Sequence, residues 1–300
     1  MKLCLGTVQF GMNYGIRGQV KPSIDESIRI LDFATQNGID TIDTANAYGT
    51  AEDVVGAFLA RKTVSRDALF VSSKLRPNIL DDVPERCYYK KARENLENTL
   101  ARLKTDYLDA YMCHSSRYVF QDAILAVMER LKKEGLVRHV GVSVYEPDEA
   151  LACLGSPRTD FMQLPFSVFD QRMLKSGVFE AAAQAKGKVE IHSRSAFIQG
   201  LILMDAAEVP SFLDRAKPII SKIDKLCKSY GVSRIALAMG YVKRIPVISH
   251  LVFGVDNLDQ LRENIELFKT DLPTEIIEAI AKEFQGLSVD IVMPSLWRRG

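Results

Sequence analysis

No stretch of the 300-residue chain approaches the roughly 20 consecutive apolar residues of a membrane-spanning helix. The N-terminus, MKLCLGTVQFG, lacks both a long apolar core and a small-residue cleavage site, so it reads as a first strand rather than a signal peptide. An excess of one charge is also missing. The net charge is +1, and Arg298 and Arg299 are too few to make a basic tail. Neither nucleic acid nor an acidic membrane is therefore an expected partner. The five cysteines, at 4, 87, 113, 153 and 227, are odd in number and contain no C-x-x-C pair. That argues against a disulfide framework and for a reducing compartment, the cytoplasm. Cys4 and Cys113 lie in apolar runs, where a free thiol acts as a small hydrophobe.

Several catalytic motifs are absent too. Gly6, Gly11, Gly15 and Gly18 form neither G-x-G-x-x-G nor a P-loop, so no nucleotide is expected to bind in either of those ways. There is no H-E-x-x-H, and GVSVY lacks the second glycine of a nucleophile elbow. His139, His192 and His250 suggest no metal cluster and read as structural, so no metal is expected.

What is present is alternation. Short apolar runs occur at 3–7, 39–43, 69–74, 107–114, 137–143, 160–164, 189–194 and 247–254. Amphipathic helical patterns lie between them. One is IDESIRILDFATQNG, with Ile24, Ile28, Leu31 and Phe33 on or near one face and Gly38 as its stop; another is YKKARENLENTLARLK. Strand–helix alternation implies parallel pairing with right-handed crossovers. Eight such units without a dividing linker predict an α/β fold, a single-domain (β/α)8 TIM barrel over residues 1–300. The segment 205–235 predicts an extra helix or loop before the last strand.

In such a barrel the chemistry sits at the C-terminal strand ends. Here those ends carry Thr7, Asp43, Lys74, His114, Ser143, Gln163 and Arg194, and the last strand runs into Gly254. Asp43 opens the stretch DTANAYG, which places Tyr48 before a glycine turn. A phenol with a pKa near 10 is a poor acid at neutral pH, and a neighbouring ammonium lowers that pKa. A desolvated ammonium in turn needs a carboxylate. Tyr48, Lys74 and Asp43 can form that chain, with His114 holding a substrate oxygen beside the phenol. Taken singly, Asp43 could be a helix N-cap, Tyr48 an amphipathic surface residue, Lys74 a snorkelling lysine and His114 a core histidine. Their joint order on successive strand ends favours the catalytic reading.

At these residues the chain resembles the aldo-keto reductase family. Asp43 and Tyr48 in DTANAYG, Lys74 in SSKL and His114 in DYLDAYMCHS match its catalytic tetrad in order and spacing. The likeness continues through LKKEGLVRHVGVS, DFMQLPFS, RSAFIQGLIL and VFGVDNLDQLRENI. The resemblance implies a barrel that reduces aldehydes, ketones or ketosugars with a nicotinamide cofactor, usually NADPH, and without a metal. It makes Tyr48 the general acid, Lys74 and Asp43 its tuning pair and His114 the group that orients the carbonyl. It assigns Ser143 and Gln163 to the nicotinamide carboxamide and Arg194 to the position that stacks on the ring. Gly6, Thr7 and Asp43 fall in the same cofactor groove. Gly254, Asn257, Gln260 and Asn264 match the segment that wraps the adenosine phosphates and adenine. Gly254 and Gln260 stand where many relatives have a lysine and an arginine, so NADH (NAD) is expected to serve beside NADPH (NADP). Two alternatives stay open: a Schiff-base aldolase-like barrel using Lys74, and a cofactor-binding regulatory subunit with little turnover. The loop SSRYVFQD and the tail IVMPSLWRRG are expected to wall the substrate pocket, with Trp297 either anchoring the tail or lining that pocket.

Overall fold

A computed structural model describes residues 1–297; Arg298, Arg299 and Gly300 lie outside the described residues. Eight parallel strands form a closed barrel in sequence order, the last pairing with the first. They are β1 (Lys2–Gly6), β2 (Thr41–Asp43), β3 (Phe70–Leu75), β4 (Leu108–Cys113), β5 (Val137–Ser143), β6 (Phe161–Pro165), β7 (Glu190–Arg194) and β8 (His250–Phe253). Each falls on one of the eight apolar runs. Helices pack outside the barrel, and 205–235 does contain an added helix, Lys217–Tyr230, ahead of Arg234–Lys243.

The helix Ile24–Gln36 illustrates why these segments form. Ser23 caps it by accepting a hydrogen bond from the Glu26 N–H at 3.1 Å, and Asp25 and Glu26 complement the dipole of its first turn. Its buried stripe is Ser27, Ile28, Ile30, Leu31 and Ala34. Ile24, expected on that face, is 60% exposed. It begins the helix, and its side chain leans back toward the N-terminus, past the core.

Two apolar layers result. The larger lies between strands and helices. The smaller, Ala110, Met112 and Phe161 with Phe70 against them, fills the barrel interior. Side chains alternate along each strand, so inward positions come every second residue. On β7 these are Glu190, His192 and Arg194, with His192 in the middle against Phe161. The interior is thus a short apolar plug with polar groups at both ends. The five cysteines are all free thiols.

Candidate active site

Asp43 ends β2 and Lys74 lies near the end of β3. Their side chains meet inside the upper barrel, where Lys74 is completely buried. Lys74 Nζ donates to both Asp43 carboxylate oxygens, each at 2.8 Å, and to the Thr44 carbonyl at 2.9 Å. A buried ammonium must spend its protons in this way, because desolvation otherwise favours the neutral amine. Burial pulls the Lys74 pKa down, but attraction to Asp43 and then to Tyr48 outweighs it, and the net shift is upward. Asp43 is held further by Ser72 Oγ at 3.1 Å and Gln163 Nε2 at 2.9 Å. Gln163 therefore belongs to the carboxylate's support as well as to the cavity wall.

Tyr48 approaches from the loop after β2. Lys74 Nζ lies 4.9 Å from its ring centroid. The loop is drawn in by a close backbone approach. A Cβ at Gly11 would lie 1.7 Å from the Tyr48 carbonyl oxygen, so only glycine fits there. The Gly11 carbonyl also accepts from the Thr50 N–H at 3.2 Å. His114, just after β4, presents its ring at right angles to Tyr48, with centroids 5.8 Å apart. Asp43, Tyr48, Lys74 and His114 are thus brought together as the spacing predicts.

The electrostatics sharpen the roles. Burial raises the Tyr48 pKa, and Lys74 lowers it by less, so the phenol ends above its ordinary value. The expected lowering by the ammonium is present but is overridden by desolvation. Burial, joined by the Lys74 and Arg194 cations, drives the His114 pKa down to about 3 against a smaller opposing pull from Asp43. At neutral pH His114 is an uncharged hydrogen-bonding group rather than a proton source.

Asp43, Tyr48 and His114 form the floor of a cavity of about 560 Å³, with Lys74 buried beneath them. Gly6, Thr7, Ser143, Gln163, Arg194, Gly254, Gln260 and Asn264 all line it. Thr7 is buried and its hydroxyl donates to the Asp43 carbonyl at 3.0 Å, tying β1 to β2. Arg194 donates to the Val144 carbonyl at 3.0 Å and lies 4.3 Å from the Tyr145 ring centroid, so its guanidinium plane is already stacked and fixed. A Cβ at Gly254 would fall 2.3 Å from the Gln9 amide, and Gln9 Oε1 is a buried acceptor without a partner among the described residues. Asn257 is not among the lining residues. Its side chain caps the helix Leu258–Phe268 by accepting from the Gln260 N–H at 2.9 Å. The Gln260 side chain folds back and accepts from the Asp256 N–H at 2.8 Å.

The expected walls are replaced. No lining residue comes from 115–122 or from the described part of the tail. Trp297 is 8% exposed, donates to the Ile291 carbonyl at 3.3 Å and packs near Phe212, away from the cavity. The walls are instead the loop after β1, including Tyr14, Ile16, Arg17 and Gln19, and the loop after β7, from Ser195 to Met204. The Ile16 N–H donates to the Gln199 carbonyl at 2.9 Å, and Arg17 pairs with Glu208, so the loops join across the opening. Ser195, Ile198 and Gln199 adopt positive φ of 68°, 47° and 53°. For a β-branched residue such as Ile198 this is costly, and backbone strain of this kind gathers at functional loops. The glycine-rich stretch 6–18 and RSAFIQGLIL were the available signals, but neither carries a period that reveals which loops meet.

The sequence profile of the Aldo/keto reductase family matches residues 2–283. An uncharacterized oxidoreductase of Bacillus subtilis, YrpG, is 26% identical over 95% of this chain and 92% of its own length. The NADH-specific methylglyoxal reductase of Escherichia coli is also 26% identical, over 90% of each. A solved aldo-keto reductase of Bacillus halodurans, in its holo form, superposes with a TM-score of 0.73 over 94% of this chain and 91% of that one, at 21% identity. A profile that spans nearly the whole chain settles the relationship: this protein belongs to the aldo/keto reductase family.

Proposed function

We propose that the protein reduces an aldehyde or ketone carbonyl to an alcohol, with Tyr48 as the general acid. The observation that carries this reading is the convergence, on one cavity floor, of a protonated phenol, a buried ammonium–carboxylate pair beside it and a neutral imidazole. Tyr48 gives its proton to the carbonyl oxygen. Lys74 stabilises the phenolate left behind, and Asp43 keeps Lys74 charged. His114 orients the oxygen by a hydrogen bond. A reduced nicotinamide dinucleotide supplies the hydride. The cavity suits that cofactor: it is large, the Gln9 amide packs directly against the Gly254 backbone and keeps a buried acceptor without a partner among the described residues, and Ser143, Gln163 and Arg194 flank the floor. Asn264 and Gln260 would hold the adenosine end, with Gly6 and Thr7 beneath the cofactor.

A Schiff-base role for Lys74 is disfavoured. A nucleophilic lysine must be neutral, whereas this one is held charged by three acceptor contacts.

For the cofactor, NADPH is preferred by no more than about tenfold, roughly one modest charged contact, and NADH supports turnover. A 2′-phosphate is normally selected by Arg or Lys. The cavity wall near Gly254 offers Asp256, Gln260, Glu263 and Asn264, while Arg17 is paired with Glu208 and Arg262 with Asp259. The NADH-specific Escherichia coli relative supports the same direction. Tyr14, Arg17 and Gln19 make the entrance polar, so hydroxylated carbonyls such as ketosugars belong beside simple aldehydes as substrates.

The test follows cofactor absorbance while the purified protein meets a panel of aldehydes, ketosugars and quinones with each cofactor. Turnover that vanishes in Tyr48→Phe supports the proposal. Tight cofactor binding with no oxidation across the panel would instead favour a regulatory subunit.

A further inference from the structure

The lower end of the barrel holds a second polar cluster, which the proposed chemistry does not use. Glu190 begins β7, His192 is two residues on, and His250 begins β8. One ligand atom from each lies within 4.8 Å of the others. Glu190 Oε1 is 3.0 Å from His192 Nε2 and 3.5 Å from His250 Nδ1. A tetrahedral zinc ion with bonds near 2.0–2.1 Å sets its ligands about 3.3 Å apart. Both edges from Glu190 lie close to that value, and the edge between the two histidines lies within 4.8 Å. We propose that Glu190, His192 and His250 form a structural binding site for a divalent transition metal of the zinc class, on the barrel face opposite the active site.

Three features support it. Two imidazoles and a carboxylate are the donor set of three-ligand zinc sites. His192 is fully buried, so an ion held there would be shielded from competing water. Ser249 Oγ lies 3.0 Å from His250 Nδ1 and 3.2 Å from Glu190 Oε1, where it can hydrogen-bond a fourth ligand. His192 Nδ1 has no partner among the described residues. A ligating histidine is normally held through that second nitrogen, so affinity is expected to be about 10–100-fold below that of a fully supported site.

The site would act as a staple. The β7–β8 seam pairs only His192 with His250 and Ser193 with Leu251, fewer positions than the other barrel seams. An ion held by two residues of β7 and one of β8 crosses that seam. Sequence spacing could not reveal it, because the ligands come from two strands whose register is set only by barrel closure.

The test uses the full chain, stripped with a chelator and titrated with Zn²⁺ by calorimetry, with Co²⁺ as a spectroscopic probe. The expected result is one equivalent bound, nitrogen–oxygen d–d bands, and a Tm rise of about 5 °C at a hundredfold excess over Kd. Glu190→Gln and His250→Gln should each weaken Zn²⁺ by at least about tenfold. His250 is the partly exposed histidine of the cluster, whereas His192 is fully buried, so it decides the matter if Glu190→Gln fails to fold. Absence of binding at millimolar Zn²⁺, a thiolate-to-cobalt charge-transfer band, or unchanged affinity in His250→Gln would overturn the proposal.

Discussion

The two ends of the barrel solve the same problem differently. Each has titratable groups inside a parallel sheet, separated by the plug of Phe70, Ala110, Met112 and Phe161. At the upper end, Lys74 is saturated by Asp43 and Thr44, and the surplus polarity of Tyr48 and His114 faces a cavity. At the lower end, Glu190 accepts from His192, and His139 leans on Asp160 at 3.7 Å. The upper cluster keeps a strong charge pair desolvated beside open space, a costly arrangement that chemistry can use. The lower cluster is a carboxylate shared by imidazoles, suited to holding strands. Position in the barrel, more than residue type, separates reaction from support.

The sharpest way to break this contrast is to remove one oxygen. Tyr48→Phe should lower kcat by about 10²–10⁴-fold, the usual worth of general acid catalysis, with cofactor affinity by fluorescence titration unchanged. Glu190→Gln should leave kcat within about twofold, the scale expected of surface or support positions far from the chemistry. A Phe variant with half the wild-type kcat, or a Glu190 variant as impaired as Tyr48→Phe, would erase the distinction. The pH profile follows from the upward shift of Tyr48. The acid must be protonated, so reduction should persist through neutral pH and fall only as pH rises through a value above about 10. Lys74→Met should move that limb higher still, because the phenol loses its cation.

The next largest effect concerns the buried pair. Asp43→Asn leaves Lys74 without its counter-charge at a completely buried position. Breaking a buried pair from one side costs about 3–5 kcal/mol, readable as a lower urea midpoint. Lys74→Met combined with Asp43→Asn should cost less than the sum of the single changes, since the two form one unit. Strict additivity in that double-mutant cycle would mean that the pair is not coupled.

A smaller effect, of about tenfold, is expected from Gln260→Arg in the ratio of kcat/KM for NADPH to that for NADH. One well-placed charged contact to a phosphate is worth about that much. Gln260 lines the cavity, so a guanidinium there reaches it directly, with the neighbouring Asp256 carboxylate as the competitor that keeps the effect modest. An unchanged ratio would place the 2′-phosphate elsewhere.

The sequence made the barrel legible because burial on both faces of a parallel strand leaves a continuous apolar run, and the eight runs stand apart from helical periodicity. The residues of the candidate tetrad were legible for a related reason: Asp43, Lys74 and His114 each end such a run and Tyr48 follows one, and strand ends in a closed barrel share one rim. Asn257 shows where that reasoning stops. An asparagine before a helix serves a cap as readily as a ligand, and here its oxygen goes to the Gln260 N–H. The walls from Tyr14 to Gln19 and from Ser195 to Met204 were hidden because loop pairing, such as Ile16 with Gln199, depends on tertiary contact rather than on period. Glu190, His192 and His250 were hidden because neighbouring strands bring together residues far apart in the chain.

The smallest expected effect tests the tail, once placed at the barrel mouth. Its described residues run through the short helix Val289–Val292 to Trp297, whose indole donates back to Ile291 and packs toward Phe212. Ion pairing of Arg215 with Asp290 ties the same segment to the insertion before Lys217. These contacts fix the tail to the added helical unit rather than to the cavity, whose lining includes none of them. Trp297→Ala should therefore lower thermal stability through lost packing, while KM for carbonyl substrates stays within about twofold, the size of a perturbation that removes no binding contact. The informative measurement is KM across several substrates of different size, taken well below Tm so that unfolding does not contribute. A selective rise for the bulkier substrates would return the tail to the mouth and make it a third wall beside the two joined loops. A uniform KM with a lowered Tm would leave substrate choice to Tyr14, Arg17, Gln19 and the strained loop after β7.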